Sequence, residues 1–489
     1  MISLDLSKYL AVWGCVVLFT GCNSNMLIYP PIYQQPIIKA DPQYKYASSF
    51  KWVQTQSLIS QSSQWWELYE DDKLNFLIQQ LNAENLTLKQ AEARYRHASA
   101  LFNVKRTARL PTLGVEAAAN HNGSKNNESN HQSSAQFSTG LQASWIPDLW
   151  GRVSKAIEEQ QASVDASQAD FAAIKLNQQL MAAQSYWNIR LLDLQLNVLK
   201  QTQQSYVRSL QILKNQYQAG MIARADVIQA ETQLKQVEIQ HIEQQRERNL
   251  QENILAVLLG QTVTQFQLSK QTAQFHLPEV PAQLPSHLLI QRPDVIRAER
   301  ELAVTHAQLG LAQTAWLPDV SIGINGSLNN NIFIELFQSP NYLWSIGLST
   351  VATVFDGGKR KAEINQAQAN YEEKLATYKQ SILTGWKEVE DGLMQSTSLK
   401  QQATEQAQLL NLANENERVV TQRYNAGLIS YLEVVTAQNL RLQAEQDRLK
   451  LQQRQMINSM QLIAALGTGW NQNEYWENNL NKIDNSSHY

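Results

Sequence analysis

Residues 424–437 read YNAGLISYLEVVTA, and residues 217–230 read YQAGMIARADVIQA, 207 positions earlier (424 − 217). Six residues recur in step: Tyr217/Tyr424, Ala219/Ala426, Gly220/Gly427, Ile222/Ile429, Val227/Val434 and Ala230/Ala437. An acid follows six residues after each glycine, Asp226 in the first copy and Glu433 in the second. Two further landmarks keep nearly the same offset. ARLPTLGVEAAAN from Ala108 is echoed by AWLPDVSIGINGS from Ala315, and LWGRVSKA from Leu149 by FDGGKRKA from Phe355. Three landmarks in the same order mean a duplicated, domain-sized unit rather than a short solenoid repeat. Working outward, the chain divides into a leader (1–21), an N-terminal segment (22–64), repeat 1 (65–274), a Pro-rich linker (275–292), repeat 2 (293–470) and a polar tail (471–489).

Each repeat follows one pattern. A helix-like segment (72–108, then 294–315) precedes two short alternating segments, a very long helical stretch, the AG turn and a second helical stretch. The alternation has period 2, the mark of strands with two different faces. Leu113, Val115, Ala117 and Ala119 alternate with polar or small residues, as do Phe137, Thr139, Leu141, Ala143 and Trp145. Val320, Ile322 and Ile324 continue the pattern in repeat 2, followed by Trp344, Ile346, Leu348 and Ala352. Residues 121–135 read as a polar loop. The long stretch 152–218 holds neither Pro nor Gly and would form a rod of about 100 Å. Its apolar seam, Ile189, Leu192, Leu196, Leu199, Tyr206, Leu210, Leu213 and Tyr217, has the spacing of helices packed side by side.

Composition narrows the function. A net charge of −3 with 17% charged residues excludes a basic chain steered to nucleic acid. No run of 18 apolar residues exists, so no transmembrane helix is expected. The start, MISLDLSKYLAVWGCVVLFTGC, is a short apolar leader ending in Thr20-Gly21-Cys22. It resembles a bacterial lipobox, which implies a diacylglycerol and an N-acyl chain on Cys22; the alternative is a plain secretory signal. Cleavage there leaves Cys22 as the one cysteine, so no disulfide forms within the chain. Four alternating segments of about ten residues suit a bilayer crossing. They cannot close a barrel alone, and an open edge in lipid is costly, so a membrane reading requires oligomerisation. Trp145, Trp150, Trp316 and Trp344 stand near strand ends, where interfacial aromatics belong. A soluble antiparallel sheet with one wet face would show the same alternation.

Taken in order, WWELYEDDKLNFLIQQ (from Trp65), DLWGRVSKA, YQAGMIARADVIQAE, PSHLLIQRPDVIRAERELA (from Pro285), FDGGKRKAEI and RYNAGLISYLEVVTAQ resemble the TolC-like outer membrane efflux proteins, in their lipoprotein branch. The resemblance implies a mainly α protein with a small membrane β part. Long antiparallel helical hairpins would form a periplasmic α-barrel, and four strands per chain would join a trimeric 12-stranded outer-membrane barrel. It implies a homotrimer in outer membrane lipid, with a periplasmic membrane-fusion adaptor and an inner-membrane resistance–nodulation–division pump as partners. Segments flanking the repeats would form an equatorial band. Residues 22–64 would be anchor and part of that band.

Each AG segment reads as a tight αα-hairpin, with Gly220 and Gly427 in the left-handed conformation after a helix end. Ser430-x-x-Glu433 has the form of a capping box. The resemblance implies more. Leu432, Glu433 and Thr436 match positions that constrict the periplasmic mouth, with Thr436 where a second acid would stand. Asp226 and Tyr424 match a pair that latches the two hairpins, and Ile429 replaces a latch arginine. A plain capping role for both acids is the competing reading, since carboxylates are favoured in a first helical turn. No nucleophile elbow, P-loop or zinc motif is present, so neither catalysis nor a metal is expected. The function indicated is a passive gated conduit for drugs or other small molecules. The alternatives are the outlet of a type I protein secretion system and a lipid-anchored coiled-coil tether or adhesin.

Overall fold

The computed structural model describes residues 33–36, 45, 64–125, 131–271, 277–278, 291–338 and 342–467. Cys22, most of the linker and the polar tail lie outside the described residues. The helices are α1 (Asp72–Glu84), α2 (Leu86–Thr107), α3 (Arg152–Gln218), α4 (Arg224–Leu258), α5 (Pro293–Thr314), α6 (Lys359–Asn425) and α7 (Tyr431–Ala465). The strands are β1 (Thr112–Lys125), β2 (His131–Trp145), β3 (Asp319–Asn330) and β4 (Tyr342–Val351). The duplication is exact for the long helices. Both ends of α3 and α4 recur 207 residues later in α6 and α7 (359 − 152, 425 − 218, 431 − 224, 465 − 258).

Local chemistry sets these boundaries. Asp71 caps α1 by accepting from the Leu74 amide at 2.9 Å. The single helix expected over 72–108 is split by Asn85, whose extended backbone ends α1 and whose side chain accepts from the Leu88 amide at 2.9 Å to start α2. The two longest helices, of 67 residues each, start from the echoed motifs. Asp148 accepts from the amides of Val153 and Ser154 at 2.8 Å and from the Ser154 hydroxyl at 2.6 Å. Asp356 does the same work for α6, accepting from the Gly358 and Arg360 amides and from Arg360 Nε at 2.6 Å. The Arg360 bond and those amides hold the Asp356 carboxyl below its ordinary range.

The chain forms two compact units. The first contains residues 96–165 and 299–377 with 33–36, and holds the whole sheet. The strands lie in the order β1-β2-β3-β4, all antiparallel, so β1 and β4 are the outer strands. The register sorts the faces cleanly. One face carries the rows Leu113–Ala143–Ile324–Ile346, Val115–Leu141–Gly326–Trp344 and Trp145–Ile322–Leu348. The other carries Gly114–Gln142–Asn325–Ser345 and Thr112–Ser144–Gly323–Gly347. The apolar face is uncovered: Leu113 is 73% exposed, Val115 78% and Leu348 72%. The strands run further than the hydrophobic alternation. β1 and β2 extend to Lys125 and His131, through most of the stretch expected to be loop, whereas β4 stops at Val351, before Ala352.

The second unit contains residues 64–95, 166–298 and 378–467 among those described. Its main core joins Trp65, Trp66, Tyr69, Leu74 and Leu81 to Ala183, Tyr186 and Trp187 of α3, Leu255 of α4, and Met456 and Met460 of α7. The motif WWELY thus plugs a three-helix junction. A second core lies between the two hairpins and is described below. The expected seam on α3 is buried from Ile189 to Leu213, but its last member, Tyr217, is 43% exposed. Tyr217 is the penultimate residue of α3, immediately before the AG turn. In the RPD motif, Arg292 donates to the Ala465 carbonyl at 3.0 Å, to Glu388 at 2.7 Å and to Asp294 at 2.8 Å. It thereby closes the C-terminus of α7 and holds the start of α5 there.

Candidate functional site: the paired AG turns

Both AG turns end a 67-residue helix and begin a 35-residue one. Gly220 and Gly427 have φ of 73° and 71°, the left-handed region where a β-carbon is strained. The amides of Gly220 and Met221 reach back to the Tyr217 and Gln216 carbonyls, both at 2.9 Å. Those of Gly427 and Leu428 reach Tyr424 and Arg423 at 2.8 and 3.0 Å. This is the Schellman arrangement in both copies, and it satisfies carbonyls that the helix end would leave bare.

The expected capping box does not form. Ser430 occupies the cap position of α7 with extended backbone, but its side chain makes no capping bond. The Glu433 amide is taken by the Ser430 backbone carbonyl at 3.3 Å instead. The Glu433 carboxylate is exposed and bonds nothing among the described residues. That removes the reciprocal capping role from Glu433 and leaves the helix dipole as its only local reason to be acidic.

The two hairpins are welded by one apolar cluster. Leu199, Tyr206, Leu210 and Leu213 of α3, Val227, Ala230, Leu234 and Val237 of α4, and Tyr431, Val434, Val435 and Leu442 of α7 are all buried in it. Val420 and Tyr424 of α6 pack against it. The helical period sorts α7 accordingly: Tyr431, Val434, Val435, Ala437 and Gln438 face in, while Leu432, Glu433 and Thr436 form an outward stripe. Leu432 is 52% exposed, and the Thr436 hydroxyl donates to the Leu432 carbonyl at 2.9 Å. The three constriction residues expected from the sequence therefore share one uncovered face.

The cluster has a polar spine that sequence reading did not find. The Gln233 and Gln438 amides pair at 3.2 Å across the hairpins, both buried. The Tyr206 hydroxyl is buried with no bond of normal geometry. Burial pushes it up to about 12, with Gln233 and Arg441 acting the other way. Tyr431 is likewise pushed up to about 12 by burial and then by Tyr206, Tyr424 and Asp226. The rings of Tyr424 and Tyr431 meet edge to face at 5.4 Å. Asp226 is half-buried beside them, and after burial its charge is the second cause raising Tyr424. No hydrogen bond joins Asp226 to Tyr424. The structure brings the expected latch residues together as electrostatic neighbours around Tyr431.

Comparison with known proteins places the chain. The model of the outer membrane efflux protein family matches residues 77–261 and again 284–468, so the chain belongs to that family, whose members are transport conduits and not enzymes. The two matches start 207 residues apart (284 − 77), the offset already seen in the motifs and helices. Among characterised relatives, the cation efflux system protein CusC of Escherichia coli O6:H1 is 27% identical over 473 residues, covering 94% of this chain and 98% of CusC. The solvent efflux pump outer membrane protein SrpC of Pseudomonas putida is 28% identical over 477 residues, covering 96% and 98%. Crystal structures of CusC include one that superposes with a TM-score of 0.82 at 26% identity, over 90% of this chain and 99% of that one. The fold is also shared with the CmeC outer membrane channel of Campylobacter jejuni, with a TM-score of 0.86 at 21% identity. The protein is an outer membrane efflux channel with four strands and duplicated helical hairpins per chain.

Proposed function

We propose that this chain works as a homotrimer, the gated outlet of a tripartite efflux system fed by an inner-membrane pump of the resistance–nodulation–division class through a periplasmic adaptor. The observation that carries the reading is the sheet: four strands, one uncovered apolar face, one polar face and two outer strands. Such a sheet is stable in lipid only when closed, and three copies close it at 12 strands with the polar face lining the lumen. Acylated Cys22 anchors the chain. Leu432, Glu433 and Thr436 line the mouth, so that each copy contributes a single acid to it. Asp226 and Tyr424, gathered around Tyr431, hold the hairpins in the closed arrangement until the adaptor separates them. The relatives named above export cations and solvents, and the pyoverdine exporter OpmQ of Pseudomonas putida is 29% identical over 417 residues. The cargo is set by the pump, and the outlet is a conduit.

Purified protein should migrate as a heat-sensitive trimer and conduct ions in planar bilayers. Deletion of its gene should raise intracellular accumulation of at least one compound in a panel of drugs, solvents and metal ions. Unchanged accumulation across the panel, with loss of a secreted protein instead, would replace efflux by protein secretion.

A further inference from the structure

All four helix–strand junctions lie at one end of the sheet, where β1 and β3 begin and β2 and β4 end. That end is rich in cations. Lys105 and Arg106 close α2, Arg109 follows, and Lys359, Arg360 and Lys361 open α6. The nearby acids are already engaged. Asp148 holds the first amides of α3, Asp319 is paired with Arg152, and Asp356 with Arg360. Arg360 also stacks on Trp316 at 4.3 Å, and Lys359 has Glu363 at 3.7 Å. Lys105, Arg106, Arg109 and Lys361 are exposed and make no close ion pair among the described residues, although the Arg109 charge also acts on Asp148. Cations in the first turn of a helix oppose its dipole, so helix stability does not account for Lys361.

These charges sit directly under the apolar face. The Trp145 indole, at the foot of that face, donates to the Arg109 carbonyl at 3.1 Å. Exposed apolar residues interleave with the cations: Leu110 beside Arg109, and Val354 and Phe355, 96% and 87% exposed, before Lys359. The two basic groups flank opposite outer strands, Lys105, Arg106 and Arg109 beside β1 and Lys359 and Lys361 beside β4. On the trimeric reading, on which this step rests, closure pairs β4 of one copy with β1 of the next. The two basic groups are then brought to the same seam, where like charges left without a counter-ion repel.

We infer that each seam binds the headgroup of an anionic phospholipid, whose phosphate is held by Arg106, Arg109 and Lys361 across two copies and offsets part of their charge while its chains lie on the apolar wall. An anion is required by the charge, and its position at the foot of a lipid-facing sheet selects a lipid over a soluble ion. The bound lipid holds two copies together, so trimer stability depends on it.

The test is the temperature at which trimer converts to monomer on gels, for full-length protein in nonionic detergent. Added phosphatidylglycerol should raise it, and phosphatidylcholine or inorganic phosphate should not. The rise should shrink in 1 M salt and be mostly lost in R106Q/R109Q and in Lys361→Gln. It should persist in the charge-preserving R106K/R109K and in Lys387→Gln, which removes an exposed cation of the other unit. An equal effect of both lipids, a full effect of inorganic phosphate alone, or an undiminished rise in the neutralised variants would overturn the inference. A protein that forms no trimer in any lipid would overturn the trimeric reading first and this inference with it.

Discussion

Arg248→Met is the substitution whose outcome the structure fixes most tightly. Arg248 is 3% exposed, and every arm of its guanidinium is used. Nε donates to Asp193 at 2.6 Å, Nη1 to Glu252 at 3.0 Å and Nη2 to the Leu268 carbonyl at 2.7 Å. Glu252 in turn accepts from the Leu268 amide at 2.6 Å. Arg190, over the Tyr186 ring at 4.9 Å, donates to the Ser269 carbonyl at 2.7 Å and lies 3.6 Å from Asp193. The network thus pins the chain after α4 onto the α3–α4 pair. Methionine keeps most of the volume and removes the charge, leaving Asp193 buried with only the longer Arg190 contact. Removing one partner of a buried pair costs about 3–5 kcal/mol, and the residual Arg190 contact puts this case near the lower end, about 3 kcal/mol. Adding Asp193→Asn should recover part of the loss, because the stranded charge disappears. The assay is guanidinium unfolding followed by helical circular dichroism, with limited proteolysis around residues 262–271 as a second readout. A loss under about 1 kcal/mol would mean that the cluster behaves as a solvated surface pair, and the packing argument would fail.

Other outcomes follow from single contacts. On the proposed gate role, Glu433→Gln should alter closed-state conductance and cation preference in bilayer recordings while costing no more than the dipole contribution of about 0.3–1 kcal/mol, since the carboxylate bonds nothing among the described residues; unchanged conductance would refute that role. Gly140→Ala should depress trimer yield, because the new β-carbon would stand 2.7 Å from the Gly326 carbonyl oxygen and 3.0 Å from the Ser327 β-carbon, and such overpacking costs about 1–3 kcal/mol. Gly427→Ala has open space around it but a φ of 71°, so about 1–2 kcal/mol of strain and no clash is expected, measurable as a lowered unfolding midpoint. His306 packs edge-on to Tyr33 at 5.5 Å and Tyr371 at 5.9 Å; burial and then Lys155 hold its pKa below 6.5, against Glu158. The unfolded state therefore gains protons first, and the stability of this packing is full above pH 6.5 and falls as pH drops through it. Hydrogen-exchange protection factors at residues 33–35, corrected for the intrinsic pH dependence of exchange, should fall on acidification, and His306→Phe should flatten that response.

The sequence made the fold legible where the environment imposes a period. The lipid-facing rows alternate because one face meets hydrocarbon, and the α3 seam repeats because helices lie along it. Where the environment changes, the signal stops before the element does. β1 continues to Lys125 although the residues beyond Asn120 are polar on both faces, because the ladder of backbone bonds needs no apolar side chain. The AG turns were readable because a left-handed residue calls for glycine. The capping box was misread: Ser430 and Glu433 have the right types at the right spacing, but the chain enters α7 with the Ser430 carbonyl, not its hydroxyl, near the Glu433 amide. The polar spine of Gln233, Gln438 and Tyr206 left no trace, since a glutamine at a helix position reads the same whether it faces water or another glutamine.

The two AG copies show how duplication was turned into asymmetry. Tyr217 and Tyr424 are equivalent by sequence, yet the first is 43% exposed and the second packs on the apolar cluster. Asp226 and Glu433 are also equivalent, yet the first is half-buried beside two tyrosines and the carboxylate of the second is exposed and bonds nothing among the described residues. One substitution accounts for much of this difference. Where the first copy has Arg224, exposed at the start of α4, the second has Tyr431, 4% exposed at the start of α7. Tyr431 fills the cluster between the hairpins, gives Tyr424 a ring to stack on and draws both toward Asp226 of the other copy. The backbone turn is kept identical by glycine and the Schellman bonds, so the change is confined to side chains. A contact between hairpins built this way can shift its strength by altering Tyr431 or Asp226 without disturbing the hairpins that carry it.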